Sequence, residues 1–333
     1  MMINLPKLAN ADISGKKVLV RMDLDVDEDF SRIDFAKDTL KYLIQNNAKI
    51  IVLGHKGRPE GSISSSLSLR YLLEPLEKTV EKKVIFVENF KTYDFSQGEV
   101  FLLENLRFDS REESNDTDFT HELASLGDFY VNEAFAVCHR EHASIVGLPK
   151  VLPHAAGLRL GKEIEILSAV LENPKRPIVA VISGVKEDKM DRIASIVDKV
   201  DKVLVGGRLP LYYGDDNPNP DKLILARLLP DKEDITIHSI EVFIKEIGRA
   251  KTIIVAGVPG KYEDEGHRQG TKAVFEAVAN SSAFKILGGG DAEAAITLLG
   301  LNDKFDWISV GGGAMLEFLA KGTLPGIEVL VQV

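Results

Sequence analysis

The chain has 333 residues, 44% of them apolar, a formal net charge of -10 and a pI near 5.3. That length exceeds what one hydrophobic core usually fills, so two domains are expected, and the acidity without any contiguous basic stripe argues against nucleic-acid binding. A single cysteine excludes a disulfide framework, and no apolar run approaches the length of a signal peptide or membrane span, which predicts a cytoplasmic protein with no membrane partner.

Along the first half, KVLVRMDLDV (17–26) reads as a buried strand ending on Asp23 and Asp25, and Arg32 opens the helical stretch behind it. A second strand, Ile50 to Leu53, runs into GHKGRPEG, whose glycines and Pro59 break regular structure where His55 and Arg58 appear. EVFLLENLRF delivers Arg107, and DFYVNEAFAVCHREHAS delivers His139, Arg140 and His142. Strands separated by helical stretches predict a parallel α/β sheet, whose ligands lie outside the carboxyl ends of the strands. One arginine after a strand is ordinarily a solvated surface charge. Arg32, His55, Arg58, Arg107 and Arg140 all at such ends point instead to a small anion. His139 and His142 lack a third ligand at zinc-site spacing, and Cys138 reads as an apolar filler.

The serine-rich SISSSLS (62–68) reads as a mobile loop. LGKEIEILSAVLE (160–172) places Leu160, Ile164, Leu167 and Leu171 on one helical face before Asn173, Pro174 and Pro177 end it, which suits a connector between domains. The second half has another signature: IVAVISG, KVLVGG, TIIVAGVPG, FKILGGGD and WISVGGGA are apolar strands that each run into glycine. Glycine there permits tight turns, and helix N-termini after such turns offer N–H groups to phosphate oxygens. The same glycines are also ordinary turn chemistry, and neither a Walker A sequence nor a G-x-G-x-x-G fingerprint is present.

At VLVRMDLDV, RIDFAKDTLKYL, GHKGRPEGS, LLENLRFDSREESND, FYVNEAFAVCHREHASIVGLPK and AAGLRLGKEIEILSAVLENPKRP the chain resembles the phosphoglycerate kinase family, in that family's order and spacing. The resemblance implies that Asp23, Asp25, Arg32, His55, Arg58, Arg107 and Arg140 surround 3-phosphoglycerate, with Arg32 also facing the reacting carboxyl. Asp25 stands where the family usually has Asn, which sets a carboxylate near an anionic substrate. In the second half SGVKEDK, with Gly184, Lys186 and Lys189, is similar to the family's lysine element but one residue shorter. AGVPGKYEDEG keeps Gly257, Gly260 and Glu263, the last aligned with a ribose contact, and Ala256 replaces an Asn. GGGDAEAA keeps Gly288, Gly289, Gly290 and Asp291, the last aligned with a magnesium-side aspartate; a helix N-cap is the structural alternative for it. VGGGA retains Gly312 in the late glycine loop, with Val310 replacing a threonine. Between GGRLP and TIIVAGVPG the chain is much shorter than the family norm, in a region that contributes to the adenine pocket, and DDNPNP reads as a loop closing the gap.

The resemblance implies two Rossmann-like parallel-sheet domains joined by a helix and hinge: 1–160 binding 3-phosphoglycerate, a shortened 161–320 binding nucleotide, and a tail, 321–333, returning to the first. Gly311 to Gly313 and the helix near 160–172 are the hinge candidates. It further implies a monomeric enzyme that transfers a phosphoryl group between ATP and 3-phosphoglycerate, with Mg2+ at Asp291 and with Arg32 and Lys186 stabilising the group in flight. Two other readings stay open. One is a non-catalytic binder of a phosphorylated three-carbon acid with an eroded nucleotide site; the other is a dehydrogenase, which thermal-shift assays with NAD would exclude.

Overall fold

The structure is a computed structural model that describes residues 3–26, 30–96 and 98–331; the first two and last two residues of the expected domains lie outside it. The chain divides into two compact units, one made of residues 3–165 and 324–331 and the other of 166–323. Each is built on a six-stranded parallel sheet, so the fold is two α/β domains.

In the first unit the strands are β1 (Lys17–Met22), β2 (Lys49–Leu53), β3 (Val84–Val87), β4 (Val100–Leu103), β5 (Phe129–Glu133) and β6 (His154–Ala156), in the order β3-β4-β2-β1-β5-β6. β1 is central, with Val18 opposite both Ile50 and Phe129. Side chains alternate across a strand. Val18, Val20 and Met22 accordingly join a core with Leu40 and Leu43 of the helix Lys37–Gln45 and Leu76 and Val80 of the helix Leu73–Val80. Each such side chain contributes about 1.5–3 kcal/mol on burial. Arg21 falls on the opposite face with Leu19 and is fully buried. β1 stops at Met22, short of the expected residue 26, so Asp23 and Asp25 lie in the loop beyond the sheet. Residues 62–68 contain one 3-10 turn, Ser65–Leu67.

The helix Leu158–Glu172 is fastened at its first turn. The buried carboxylate of Glu133 accepts N–H bonds from Arg159 at 3.0 Å and Leu160 at 2.9 Å and the hydroxyl of Thr39, while Thr39 Oγ1 accepts the N–H of Leu158 at 2.8 Å. A Cβ on Gly157 would lie 2.1 Å from Glu133 Oε2, so the backbone must be bare there. The helix Pro325–Val331 also belongs to this unit: Gly326 N–H bonds Cys138 O at 2.8 Å, and Val329 packs with Val137, Ile145 and Val146. Cys138 is buried, and burial pushes its thiol up to about 12, in keeping with a packing role.

The second unit carries β7 (Ile178–Gly184), β8 (Lys202–Gly207), β9 (Leu223–Leu225), β10 (Thr252–Ala256), β11 (Phe284–Gly288) and β12 (Trp307–Ser309), in the order β12-β11-β10-β7-β8-β9. Val179, Val181, Ile253, Val255 and Leu287 pack with Phe243, Val274, Phe275 and Ile296 of the helices Ile237–Ile247, Gln269–Asn280 and Gly290–Leu298. No helix among the described residues is long and apolar enough to cross a membrane.

Candidate functional sites

In the first unit the loops after β1, β2, β4 and β5 bring the cations together. Arg107, on the 3-10 turn Leu106–Phe108, is buried and donates from Nη1 to Gly57 O at 2.7 Å, with Glu113 3.3 Å from its Nε. Burial, followed by the neighbouring Arg140 and Arg21 charges and opposed by Glu113, lowers its guanidinium to about 10, so it stays cationic at neutral pH. His55 is buried and accepts a 2.8 Å bond from Arg21 Nη2 on Nδ1, because a guanidinium can only donate. Its remaining ring nitrogen is then the donor. Burial first, then Arg21, Arg107, His142 and Arg140, hold His55 well below its ordinary pKa, and burial, then Arg107, Arg21, Arg140 and His139, put His142 at about 3. Both imidazoles are neutral beside fixed cations rather than cations themselves.

Arg32, on the short helix Ser31–Phe35, lies 3.3 Å from both oxygens of buried Asp23 and donates to Asp25 O at 2.9 Å. Burial raises the Asp23 pKa, and Arg32 and then Arg21 oppose it. Asp25 is exposed and its carboxylate accepts the N–H of Gly57 at 2.9 Å, lacing the loop after β1 to the one after β2. Arg58 is exposed on that second loop, and Arg140 is half-buried close enough to act on Arg107, His55 and His142.

Arg21 is the group the sequence reading passed over. Besides His55 it bonds Ser144 Oγ at 2.9 Å and Met22 O, and Ser144 in turn bonds buried Glu112 through its hydroxyl and, at 3.0 Å, its N–H. Glu112 thus faces the cation cluster from below, its pKa raised by burial against the pull of Arg21. The signal was there: an arginine at an inward position of a strand buried on both faces needs a partner.

In the second unit a cavity of about 230 Å³ opens beyond the carboxyl ends of β7, β10, β11 and β12. Lys186, Lys189, Asp291, Gly257, Gly288–Gly290 and Gly312 line it, as do Asp188 and Arg192, which the sequence reading did not single out. Lys189 opens the helix Lys189–Ile196 and its Nζ reaches back to Ser183 O at 2.5 Å; burial lowers its pKa, against Asp291 and Asp188. Lys186 is exposed on the preceding turn, closed by Lys189 N–H on Lys186 O at 3.3 Å, so the shortened lysine element still delivers both amines to one cavity. The glycines are required by space. Gly257 has φ +90°, and a Cβ on it would lie 2.1 Å from Ser183 O and 2.7 Å from Lys189 Nζ; one on Gly184 would lie 2.6 Å from the same amine. Gly312 would meet Gly288 O at 2.7 Å.

Asp291 is not an N-cap. Gly289 holds that position at φ +105°, and Asp291 sits exposed in the first turn of the helix Gly290–Leu298. Among the described residues no three His, Cys, Asp or Glu converge as a metal cage. The exposed carboxylate of Asp291, with Asp188 on the same cavity, suits a hard cation such as Mg2+, which takes most of its oxygens from phosphates and water. Gly260 and Glu263 lie outside that cavity: Gly260 packs against Asp234, and exposed Glu263 bonds Tyr262. Residues 214–222, which include DDNPNP, form a loop in which Asn217 Nδ2 bonds Leu223 O at 2.9 Å.

The phosphoglycerate kinase family matches residues 8–213 and 227–322. The phosphoglycerate kinase of Dictyoglomus turgidum is 39% identical, covering 97% of this chain and 97% of that protein, and that of Finegoldia magna is 35% identical, covering 98% and 99%. The solved structure of phosphoglycerate kinase from Coxiella burnetii aligns with a TM-score of 0.82 at 30% identity over 99% of both chains. The two sequence alignments run to 386 and 392 residues, so these relatives carry segments this 333-residue chain lacks. The family match breaks at 214–226, around the loop containing DDNPNP.

Proposed function

The chain belongs to the phosphoglycerate kinase family and is a phosphotransferase, and from that premise we propose that it moves the γ-phosphoryl group of ATP reversibly onto the carboxylate of 3-phosphoglycerate, giving ADP and 1,3-bisphosphoglycerate. The observation that carries this reading is the presence in one chain of two complementary sites. One is a cluster of guanidiniums, two of them buried, at the strand ends of the first unit, and the other a glycine-walled cavity lined by Lys186, Lys189, Arg192, Asp188 and Asp291 at the strand ends of the second.

Arg107, Arg140 and Arg58 would hold the phosphate of the three-carbon acid, with His55 donating from its free ring nitrogen and Arg21 holding that ring in place. Asp23 and Asp25 would fix Arg32 and the Gly57 loop, and the Arg32 guanidinium would face the carboxylate. That carboxylate is already ionised at neutral pH, so one of its oxygens attacks phosphorus while the bond from phosphorus to the β,γ-bridging oxygen breaks, and no general base is needed. Lys189 and the glycine backbone would seat the nucleotide phosphates, and Lys186 and Arg32 would stabilise the equatorial oxygens in flight. Glu263 would contact the ribose. Mg2+, held at Asp291, neutralises phosphate charge when bound. Because nucleotide and acid are held by different units, transfer requires the two ligands to be brought together.

A coupled assay of Mg2+- and ATP-dependent phosphorylation of 3-phosphoglycerate tests the proposal. Turnover that needs all three components is expected, and a folded protein that binds both substrates without turnover would overturn it.

A further inference from the structure

Beyond β8 the second unit has a charged group that its phosphate cavity does not use. Arg208 follows Gly207 at the carboxyl end of this strand, and its Nη2 pairs with Glu233. The Glu233 Oε2 lies 4.0 Å from Lys261 Nζ, and Lys261 N–H bonds Glu233 O at 3.0 Å. The carrier loop is pre-ordered: Leu228 bridges Ile235, Asp234 accepts the N–H of Gly270 at 2.8 Å, and His267 bonds Asp231 at 2.9 Å and Asp264 at 2.7 Å.

Backbone hydrogen bonds tie this group to the end of β7, next to the phosphate cavity. Arg208 N–H bonds Gly184 O at 2.8 Å and Gly207 N–H bonds Pro259 O at 3.0 Å, and a Cβ on Gly207 would lie 2.5 Å from Gly184 O. A cavity of about 230 Å³ is smaller than the roughly 300–1,000 Å³ that encloses a whole small molecule, so a nucleotide with its phosphates there must lay its nucleoside outside. On the β8 side an apolar surface is available: Val185 is 59% and Tyr212 45% exposed, with Tyr212 Oη anchored on Val185 O at 3.0 Å. An aromatic face of this kind stacks a base and leaves its polar edge to be read by neighbouring groups.

We propose that Arg208 and Glu233 read that edge and make guanine nucleotides at least as good as adenine nucleotides; this rests on assigning the glycine cavity to the nucleotide phosphates. Guanine presents acceptors at O6 and N7 and donors at N1 and N2. A guanidinium fork donates to the first pair and a carboxylate accepts from the second. Adenine offers an N6 donor where Arg208 needs an acceptor, and a bare N1 lone pair where Glu233 needs a donor. The mutual contact uses one N–H of Arg208 Nη2 and Oε1 of Glu233, so the second Nη2 N–H can make a fork with Nη1 or Nε, and Oε2, which lies 4.0 Å from Lys261 Nζ, can accept from the base.

The test is calorimetric titration of GDP and ADP into the full chain and its Glu233→Gln and Arg208→Met variants, with the coupled assay run on GTP and ATP. GDP is expected to bind at least as tightly as ADP, and each variant to weaken GDP about tenfold while changing ADP less than about twofold. ADP binding more than about tenfold tighter than GDP in the unmodified chain overturns the inference, whether or not the variants fold, and so does an equal loss for both nucleotides in the variants. Transfer from ATP with indifference to GTP would keep the kinase reading and sink the base assignment; tight GDP binding without transfer to 3-phosphoglycerate would do the reverse.

Discussion

The candidate sites of the two units are built by different physical means. In the first the charges are carried by side chains whose geometry is set by other side chains: Arg107 on Gly57 O, His55 on Arg21, Arg32 on Asp23. In the second the walls are backbone, made bare by glycines that tolerate no Cβ, and the charged groups Lys186 and Asp291 are exposed. A side-chain-built site holds its charges at a desolvation cost, as the displaced pKa values of Asp23, His55 and Glu112 record. A backbone-built site carries that cost in conformation instead, as positive φ at Gly184, Gly257 and Gly289.

Substitutions that strike one strategy and spare the other sharpen this contrast. The largest effect is expected from Gly257→Ala, whose methyl would press on Ser183 O and Lys189 Nζ. Calorimetry should show nucleotide affinity falling by more than about 100-fold, with strain of about 1–3 kcal/mol, while 3-phosphoglycerate binding is unchanged. Loss of both affinities would show that the sites are not independent. Arg32→Ala should lower kcat by about 10²–10³-fold with a smaller effect on the melting temperature; unchanged turnover would remove Arg32 from the chemistry.

A pH effect of intermediate size is expected from Glu133. Burial raises this carboxyl from 4.5 to about 7, outweighing the Thr39, Leu160 and Arg159 hydrogen bonds. The folded chain therefore keeps a proton at Glu133 that the unfolded chain releases, so the contribution of this group to stability is fullest below about pH 4.5 and falls as pH rises towards 7. The loss amounts to about 3 kcal/mol at most. His55 and His142, held neutral by burial, act in the opposite sense, so the slope is read as the difference between denaturant titrations of the chain and of its Glu133→Gln variant from about pH 4.5 to 8. The smallest effect is expected from Asp25→Asn. An amide oxygen can still accept the Gly57 N–H while the negative charge disappears, so affinity for 3-phosphoglycerate should rise by less than about threefold; a marked loss would mean that the charge itself is needed.

Much of the fold was legible because a parallel strand covered on both faces is a continuous apolar run, as IVAVIS and TIIVA are. The strands that sequence reading passed over, β3, β6 and β9, are all at sheet edges, where a strand has one neighbour and a short, half-exposed pattern suffices. The cations at loop starts could be read because glycine and proline mark where strands stop. Arg21 announced itself as a charge inside an apolar strand, but its partners Ser144 and His55, 123 and 34 residues away, could not be read from the sequence. Arg208 and Glu233 were hidden for a related reason: their pairing depends on a loop whose course no local pattern in the chain specifies.

The helix Pro325–Val331 has a consequence for how the protein is made. The first unit is completed by residues translated only after the whole second unit, because Gly326 and Val329 close over Cys138, Val137 and Ile145. At about 5–20 residues per second, translating the intervening unit takes roughly 8–30 s. During that interval the nascent first unit exposes the apolar seat of its final helix, a time window in which chaperones have something to hold.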